Sequence, residues 1–462
     1  MNSNGHHPPA VDSRVIAELR RQLKGRVITP GDPVYEHTRI LAYGGSDRRP
    51  AAIARVADAA DVARVITLAR QSGAEVAVRS GGHSPAGHSL SNGIVIDLRD
   101  LRDLQINAEK RTAWAETGLT AGEYTAAAGV YSLATGFGDT PTVGIGGITL
   151  GGGVGYLSRK YGLTIDNLLA ADIVTADGEL LRADAKNNPD LFWALRGGGG
   201  NFGVATRFQY RLHPVSTAVG GMLILPATPE TITAFVAEAQ AAPPELSTIL
   251  NIMNAPPMPF LPPEAHGKLI LMANMIYAGE IEEGEHVVAR FRKLAPPLAD
   301  MLRAMRYPEI FMTDEGDFHP SLLTGTMYLN QVDLDSARAM LHYIAQSDAM
   351  MRIAQLRVLG GAVASVPVDA TAYAHRQAPI LANLVAIFTD EAERPVRQVW
   401  MDEFAAALPH RTDGLYVNFL GGAKADKINE VYPGKTGQRL AEIKRRYDPE
   451  NFFHLNHNIQ PL

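Results

Sequence analysis

Three glycine-rich segments lie between residues 81 and 203, and the first of them carries a histidine. Gly81 and Gly82 precede His83, residues 144–155 contain seven glycines, and residues 197–203 contain five. Glycine leaves backbone N–H groups open to a ligand, which is what a loop needs in order to cradle a pyrophosphate. The three segments therefore predict a binding site for a pyrophosphate-containing cofactor.

The order of these segments does not fit the dinucleotide fingerprint of the Rossmann fold. That fingerprint needs one strand, one glycine loop, one helix and an acidic residue about 20 positions further on. Here the segment at Gly81 and the segment that begins at Gly144 are far apart, and each follows residues with β character. The alternative, that the glycines only form tight turns, is weakened by the presence of three clusters in one part of the chain.

The motifs around these glycines resemble those of the FAD-linked oxidases of the berberine-bridge-enzyme-like group, in the vanillyl-alcohol-oxidase superfamily. The small bacterial enzymes similar to 6-hydroxy-D-nicotine oxidase match best in length and in their C-terminal residues. The resemblance covers most of residues 26–215 and 414–462. The segments that carry it are RSGGHS at 79–84, PTVGIGG at 141–147, GYLSRKYG at 155–162, DLFWALRGGG at 190–199, YDPEN at 447–451 and NHNI at 456–459.

The resemblance implies FAD bonded covalently through the ring of His83 to the 8α-methyl group of the isoalloxazine. Many relatives add a second bond from a cysteine, whose position is Thr140 here, and the chain has no cysteine. A singly attached FAD is therefore expected. The other residues expected to bind it are Arg79, Ser80, Gly81, Gly82, Ser84, Gly87, His88, Thr140, Pro141, Val143, Gly144, Gly146, Gly147, Gly151, Gly152, Gly155, Tyr156, Asn201, Gly203, Val204, Asn418, Asn456 and Asn458.

Val143 bears on the electron acceptor. The resemblance implies that this side chain stands near flavin C4a, where a larger Leu or Ile tends to obstruct oxygen. Valine favours an oxidase over a dehydrogenase, although core packing alone would also explain a valine after Thr142.

The substrate side departs from the family at one position. Many relatives carry a Tyr-x-Asn-Tyr motif whose second tyrosine is the base, and this chain has Phe419 there, after Tyr416 and Asn418. Phe419 cannot accept a proton, so another group is the base or none is required. The expected catalytic residues are Arg357, Gln355, Tyr328 and Asn418.

Gln355 and Arg357 are two positions apart, so they share one face of a predicted strand. Arg357 would anchor a carboxylate or phenolate well; the alternative is a surface arginine on an edge strand. Tyr328 and Asn330 share a face of another strand and line the pocket or pack within the sheet. His375 is a further possible base.

Composition and charge limit the kinds of partner and metal site that are expected. The 462 residues are 46% hydrophobic with a net charge of −6, which does not favour nucleic acid or an anionic membrane as partner. Without cysteine there is no thiolate metal site, and no metal is expected. Residues 1–13 lack the order of a signal peptide, and no run of 18 apolar residues occurs. We expect a cytoplasmic monomer or homodimer.

The pattern of predicted helices and strands changes near residue 216. Before it, short α/β units and the glycine segments alternate; after it, helices predicted at 229–241, 280–294 and 336–347 alternate with strands at 220–225, 268–277, 324–332 and 352–358. The pattern predicts an α+β fold. A discontinuous FAD-binding domain is expected at 1–215 and 411–462, and a substrate-binding domain with an antiparallel sheet covered by helices at 216–410.

The function expected from the resemblance is a hydride transfer from a small organic amine or alcohol to covalently bound FAD, which O2 reoxidises to give H2O2. A sugar oxidase is an alternative. A flavin-dependent tailoring enzyme for oxidative cyclisation or oxygenation is another, because it needs no ordinary base, and a flavoprotein that binds without turnover is a third.

Overall fold

The computed structural model describes residues 11–311, 318–421 and 427–462. The expectation about residues 1–13 falls largely outside these ranges. Two hydrophobic cores dominate the fold. One is built from residues between Val219 and Leu408, and the other from residues between Ala113 and Leu212 together with the segment from Leu415 to Ile459. Segments distant in sequence therefore share the second core.

The first sheet is small and mixed. Its strand order is β1-β2-β4-β3, with β2, β4 and β3 parallel and β1 antiparallel at the edge. Asp58 caps the helix that follows β2 by accepting a hydrogen bond from the Asp61 N–H, and Gly73 ends that helix in the left-handed conformation. The elements are α1 (Ser13–Gln22), β1 (Arg26–Ile28), α2 (Tyr35–Arg39), β2 (Ala52–Arg55), α3 (Ala59–Ser72), β3 (Val76–Arg79) and β4 (Ile94–Asp97).

The second sheet has five antiparallel strands in the order β5-β6-β10-β8-β9, and β7 pairs separately with β11. A capping box between Thr120 and Glu123 starts α4. The elements are β5 (Leu104–Asn107), β6 (Thr112–Glu116), α4 (Ala121–Gly129), β7 (Leu133–Ala134), α5 (Ile145–Gly151), α6 (Ser158–Tyr161), β8 (Leu168–Val174), β9 (Leu180–Asp184), α7 (Pro189–Leu195), β10 (Val204–Arg211) and β11 (His213–Pro214).

The third sheet is the largest, with eight antiparallel strands. Its order is β15-β12-β14-β13-β18-β19-β17, and β16 also pairs with β12. Helices α8, α9, α10 and α12 contribute to the core on one face of this sheet. The elements are β12 (Ala218–Pro226), α8 (Pro229–Ala241), β13 (Leu246–Asn254), β14 (Leu269–Tyr277), α9 (Ile281–Arg292), β15 (Ala299–Asp300), β16 (Arg303–Met305), β17 (Ser321–Leu329), α10 (Leu334–Gln346), β18 (Met351–Val358), α11 (Ala362–Ser365), β19 (Ile380–Phe388) and α12 (Arg394–Ala407).

The last described segment returns to the second core through α13 (Ile428–Val431) and α14 (Lys435–Tyr447). The α+β class is confirmed. The assignment of residues 1–215 and 411–462 to one domain and of 216–410 to another stays a prediction. Within the described ranges, no helix is both long enough and apolar enough to cross a bilayer.

One glycine segment differs from its expected form. Residues 145–151 form the short helix α5, although the sequence indicated a loop from Gly144 to Gly155. The physical reason is close packing. A Cβ at Gly146 would lie 3.0 Å from the Ser80 side chain, and one at Gly151 would lie 1.9 Å from Asn418 Oδ1. Glycine lets both neighbours approach the helix backbone.

Candidate active site

A cavity of about 450 Å³ lies between the glycine segments and the third sheet, a volume typical of small-molecule sites. The loop after β3 and the residues around α5 form one wall, and the Tyr43 ring, from the segment after α2, meets the His83 ring edge-on there. Strands β17, β18 and β19 form the facing wall, and the segment 453–457 closes one side. Residues distant in sequence therefore line one cavity.

Two backbone segments touch beneath His83. A Cβ at Gly81 would lie 2.2 Å from the Gly144 backbone nitrogen, so only glycine permits this approach. The Ser80 hydroxyl donates to the Thr117 carbonyl at 2.6 Å and accepts from the Gly146 N–H at 3.3 Å. These bonds hold the loop that carries His83 against the start of α5.

The facing wall has a polar end built around Arg357, which is only 3% exposed. Its Nη2 lies 2.7 Å from Asp139 Oδ2, and its Nε and Nη2 both donate to Gln355 Oε1 at 3.2 and 2.9 Å. Nη1 donates to the Val154 carbonyl at 3.3 Å. The guanidinium thus lies on β18, a central strand, and joins the third sheet to the segment before α5.

Phe419 lies under this network. The Arg357 guanidinium carbon is 4.9 Å from the Phe419 ring centroid, which is a cation–π contact. Phe419 lines the cavity at the position where the resemblance implies a tyrosine. Its ring therefore supports the arginine and offers no group that titrates.

Comparison with known proteins agrees with this geometry. The FAD binding domain model matches residues 50–184, and the model described as berberine and berberine like matches residues 416–460. The (R)-6-hydroxynicotine oxidase of Paenarthrobacter nicotinovorans is 30% identical, and the alignment covers 95% of this chain and 97% of that protein. The chain belongs to the berberine-bridge-enzyme-like family of FAD-linked oxidoreductases.

Solved structures of this family share the fold. The 6-hydroxy-D-nicotine oxidase from Arthrobacter nicotinovorans superposes with a TM-score of 0.85 at 27% identity, covering 95% of this chain and 98% of that one. A xylooligosaccharide oxidase from Myceliophthora thermophila gives a TM-score of 0.84 at 23% identity, with 97% and 99% covered. That second likeness concerns the fold alone.

The cavity wall suits the FAD that this family binds. Cβ atoms at Gly147 and Gly200 would meet no protein atom within 4 Å, so the backbone there is open to a ligand. Asn456 Oδ1 and His457 Nδ1 are buried without a hydrogen-bond partner among the described residues, and both residues line the cavity. Open backbone and unpaired polar atoms are what a polar cofactor would satisfy.

Most residues expected to bind the cofactor or substrate line this cavity. Asn418 does so while its Nδ2 donates to the Ile148 carbonyl at 3.1 Å, which ties the turn at 417–419 to α5. The expected residues found in the lining are Ser80, Gly81, Gly82, His83, Ser84, His88, Thr140, Val143, Gly144, Gly146, Gly147, Asn201, Gly203, Val204, Gln355, Arg357, Asn418 and Asn456.

Others lie behind the wall. Arg79 donates to the carbonyls of Thr38 and Ile40, and Gly155 approaches Phe137, where a Cβ would lie 1.6 Å from the carbonyl oxygen. These contacts are structural because they join neighbouring segments of the protein. The expected cofactor residues outside the lining are Arg79, Gly87, Pro141, Gly151, Gly152, Gly155, Tyr156 and Asn458.

Tyr328 also lies outside the cavity and packs within the sheet, the second of the two alternatives, so its expected catalytic role is corrected. It is fully buried, and its hydroxyl is 2.7 Å from the Tyr373 hydroxyl. The His375 ring packs on Tyr328 with centroids 4.8 Å apart, and its Nε2 lies 3.1 Å from the Val431 carbonyl. Burial raises the pKa of Tyr328 and lowers that of His375. Neither residue reaches the site, and Asn330 is also outside the lining.

Two histidines of the cavity wall are neutral. The rings of His88 and His457 meet edge to face with centroids 4.8 Å apart. Burial, with the nearby His457, lowers the pKa of His88 to about 3, and burial lowers the pKa of His457 to about 4. Both rings are therefore uncharged at neutral pH.

Sequence reasoning missed several polar residues of the site, among them Asp139 and Asn383, which both line the cavity. Asp139 directly precedes Thr140, so the family motif could have pointed to it. Asn383 lies on β19, which was not predicted as a strand. Its position opposite Gln355 follows only from strand pairing.

Proposed function

We propose that this chain is an oxidase that removes a hydride from a small amine or alcohol and passes the electrons to oxygen. The observation that carries the proposal is the single cavity with His83 and the glycine backbone on one wall and the Arg357 network on the other. Such a cavity can hold a flavin against one wall and a substrate against the facing one.

His83 is proposed as the one covalent attachment point of FAD. Ser80 and Gly81 hold its loop against α5, so the ring has a fixed place in the cavity wall. Thr140 lines the same cavity where many relatives have a second, cysteine attachment. Because the sequence has no cysteine, His83 is the remaining member of the pair of attachment points that such relatives have.

When bound, FAD accepts the hydride and passes the electrons on to oxygen. The protein must then take the proton of the substrate O–H or N–H, and Phe419 has no group for this. Asp139 is the one carboxylate among the described residues that line the cavity. We propose that Asp139 accepts this proton, while Arg357 holds the carboxylate in place and Phe419 supports Arg357.

Oxygen as the acceptor is supported by Val143, which lines the cavity with less bulk than Leu or Ile. A tailoring enzyme for cyclisation or oxygenation is the second candidate, because the phenylalanine at position 419 removes the family's usual base. The two functions differ in whether each turnover releases peroxide.

The test is a screen of amines, alcohols and sugars with the purified holoenzyme. Under anaerobic conditions a substrate should bleach the flavin absorbance, and admitting oxygen should restore it with one peroxide released per substrate oxidised. Bleaching without peroxide, or oxygen from O2 in the product, would favour the tailoring enzyme. A flavin that none of these reductants bleaches would contradict both.

The attachment is tested by acid precipitation. The yellow colour of the wild-type protein and of a His88→Ala variant should remain in the pellet. The colour of His83→Ala should move to the supernatant, because FAD would then be held only by non-covalent contacts. Release from the wild type would show that the covalent assignment is wrong.

A further inference from the structure

A row of four polar side chains crosses the wall that faces the flavin site. Asn251, Gln355, Asn383 and Thr326 pair in register on the adjacent strands β13, β18, β19 and β17. Cross-strand partners in a sheet lie about 5 Å apart, so the four side chains are neighbours. A polar row of this kind inside a sheet is costly unless each member finds a hydrogen-bond partner.

Three members of this polar row have partners in the protein. Gln355 Nε2 donates to Asn251 Oδ1 at 3.0 Å, and Gln355 Oε1 accepts from Arg357. The Thr326 hydroxyl donates to the Ala382 carbonyl at 3.4 Å. Both ends of the Gln355 amide are therefore occupied, and its orientation is fixed.

Asn383 is the exception. Its side chain is 6% exposed and lines the cavity, yet Oδ1 has no hydrogen-bond partner among the residues that the structure describes. An unpaired buried acceptor is unfavourable, because it has given up its hydrogen bond to water without replacing it. A ligand that donates a hydrogen bond to Oδ1 removes this cost.

The charge of Arg357 is already balanced inside the site. Asp139 lies 2.7 Å away, and four of the five guanidinium N–H groups point at Asp139, Gln355 or the Val154 carbonyl. An anionic substrate would have to displace Asp139. The expectation of Arg357 as an anchor for an anion is therefore replaced by the opposite preference, for an uncharged molecule.

The wall next to Asn383 is apolar. Val385 follows Asn383 on the same face of β19 and pairs with Ile353, and Ile387 pairs with Leu322. All four of these side chains line the cavity. A substrate can therefore bury a hydrophobic body here while one polar group reaches the polar row.

We propose that the site selects an uncharged molecule with an apolar ring or chain and a further O–H or N–H group, distinct from the group that is oxidised, which donates to Asn383 Oδ1. The apolar body lies against Leu322, Ile353, Val385 and Ile387. The inference rests on the proposed function, since it places this molecule opposite the flavin. Asn383 is then the residue that determines specificity.

The experiment measures binding of three probes to the yellow holoenzyme by the change in flavin absorbance. Phenol is uncharged and donates, anisole has the same ring without the donor, and benzoate is an anion. None of them carries a C–H bond on a carbon bearing an amine or alcohol. The wild type should bind phenol about tenfold more tightly than anisole and should bind benzoate most weakly.

Three variants separate recognition from packing. Asn383→Leu keeps the size and removes the acceptor, so phenol and anisole should bind equally. Asn383→Asp replaces the amide by two acceptor oxygens, so the variant should retain the preference for phenol. Loss of that preference would show that the amide N–H₂, and not Oδ1, faces the ligand. Thr326→Val lies in the same polar row outside the cavity lining and should leave the ratio unchanged.

Wild-type holoenzyme that binds phenol and anisole equally, or binds benzoate most tightly, would overturn this inference and leave the proposed oxidase standing. An unchanged ratio in Asn383→Leu would do the same. A wild-type protein that purifies without flavin would instead contradict the proposed function, and the inference with it.

Discussion

At the scale of single residues, the ion pair between Asp139 and Arg357 is the part of the site that bears most directly on proton transfer. Arg357 is almost fully buried, whereas Asp139 is about a quarter exposed on the cavity side. An arginine cannot lose its proton in a protein, so a carboxylate beside it remains the available acceptor. On the proposed function, the phenylalanine at position 419 therefore shifts the proton-accepting role to Asp139, which also contacts the Arg357 guanidinium.

Asp139→Asn should lower the rate of flavin reduction by about 10²- to 10⁴-fold, the usual contribution of a positioned base. The measurement is anaerobic stopped-flow with a substrate from the screen, over a range of pH. A base should also leave its mark on the pH profile, which the variant should lose. If Asp139 only positions Arg357, the variant would weaken phenol binding and keep the profile.

The neutral pair of His88 and His457 links stability to pH. Each has a folded-state pKa well below the value of about 6.5 expected in an unfolded chain. Between these values the unfolded state binds more protons, so acid favours unfolding. The stabilising effect is complete above about pH 6.5 and is lost progressively toward the folded-state pKa.

The free energy of unfolding should therefore fall between pH 7 and pH 5, by up to about 1.4 kcal/mol per pH unit for each histidine. Urea titrations of the holoenzyme at several pH values measure this slope. His88→Asn should make the slope shallower. Equal slopes in the wild type and the variant would contradict the assignment of this acid sensitivity to His88.

At the scale of elements, local patterns in the sequence were enough to predict a helix or turn whose formation depends on its own residues. The helix at 229–241 was predicted with its observed bounds, and the Asp-Gly pair at 177–178, a local hairpin signal, joins β8 to β9. Caps, periodicity and turn residues are local signals, so one sequence carries them.

The elements that were missed depend on distant partners. Strand β19 is a nearly continuous apolar run, whereas β13 mixes apolar with Ser, Thr and Asn residues although nearly all of it is buried. Neither strand shows the regular alternation that marks a half-exposed strand. Helix α5 is glycine-rich because Ser80 and Asn418 pack closely against its backbone. These contacts come from distant segments, so the residues of α5 do not by themselves indicate a helix. The polar row was hidden for the same reason, since register is a property of the assembled sheet.

The loop after β3 packs directly against the start of α5, and glycine is required at this contact. In Gly81→Ala the new methyl group would lie 2.2 Å from the Gly144 nitrogen, and neither backbone can yield easily. The variant should lose about 1–3 kcal/mol of stability and retain less flavin. The ratio of flavin to protein absorbance and a urea titration measure both effects.

Gly31→Ala is the matched control, because its Cβ would meet nothing within 4 Å. It should retain wild-type flavin content and stability. Full flavin content in Gly81→Ala would contradict the tight contact between the two segments.

At the scale of the whole molecule, the C-terminal segment is tied to the second core by a buried ion pair. Lys444 Nζ lies 2.6 Å from Asp448 Oδ2 and also donates to the carbonyls of Asn201 and Phe453 at 2.8 and 3.0 Å. Both charged side chains are fully buried. Asp448 in turn accepts from the N–H groups of Phe452 and Phe453, so the pair fixes the segment that closes the cavity.

Lys444→Met should destabilise the protein by about 3–5 kcal/mol, because Asp448 is left as a buried charge without its partner. Thermal unfolding with a flavin fluorescence readout measures the loss. The double variant Lys444→Met with Asp448→Asn removes the charge and should be less destabilised than the single variant. Equal loss in both would show that the charge is not the cause.

The residues of the cavity wall are also synthesised in a fixed order. The residues that line the cavity are as far apart in the sequence as Tyr43 and His457. A ribosome makes the chain from its N-terminus, at about 5–20 residues per second. His83 is thus made hundreds of residues before Asn456 and His457, and the cavity wall is incomplete until those residues have left the exit tunnel. The proposed attachment of the flavin at His83 is accordingly expected to follow the synthesis of Asn456 and His457, which complete the cavity wall.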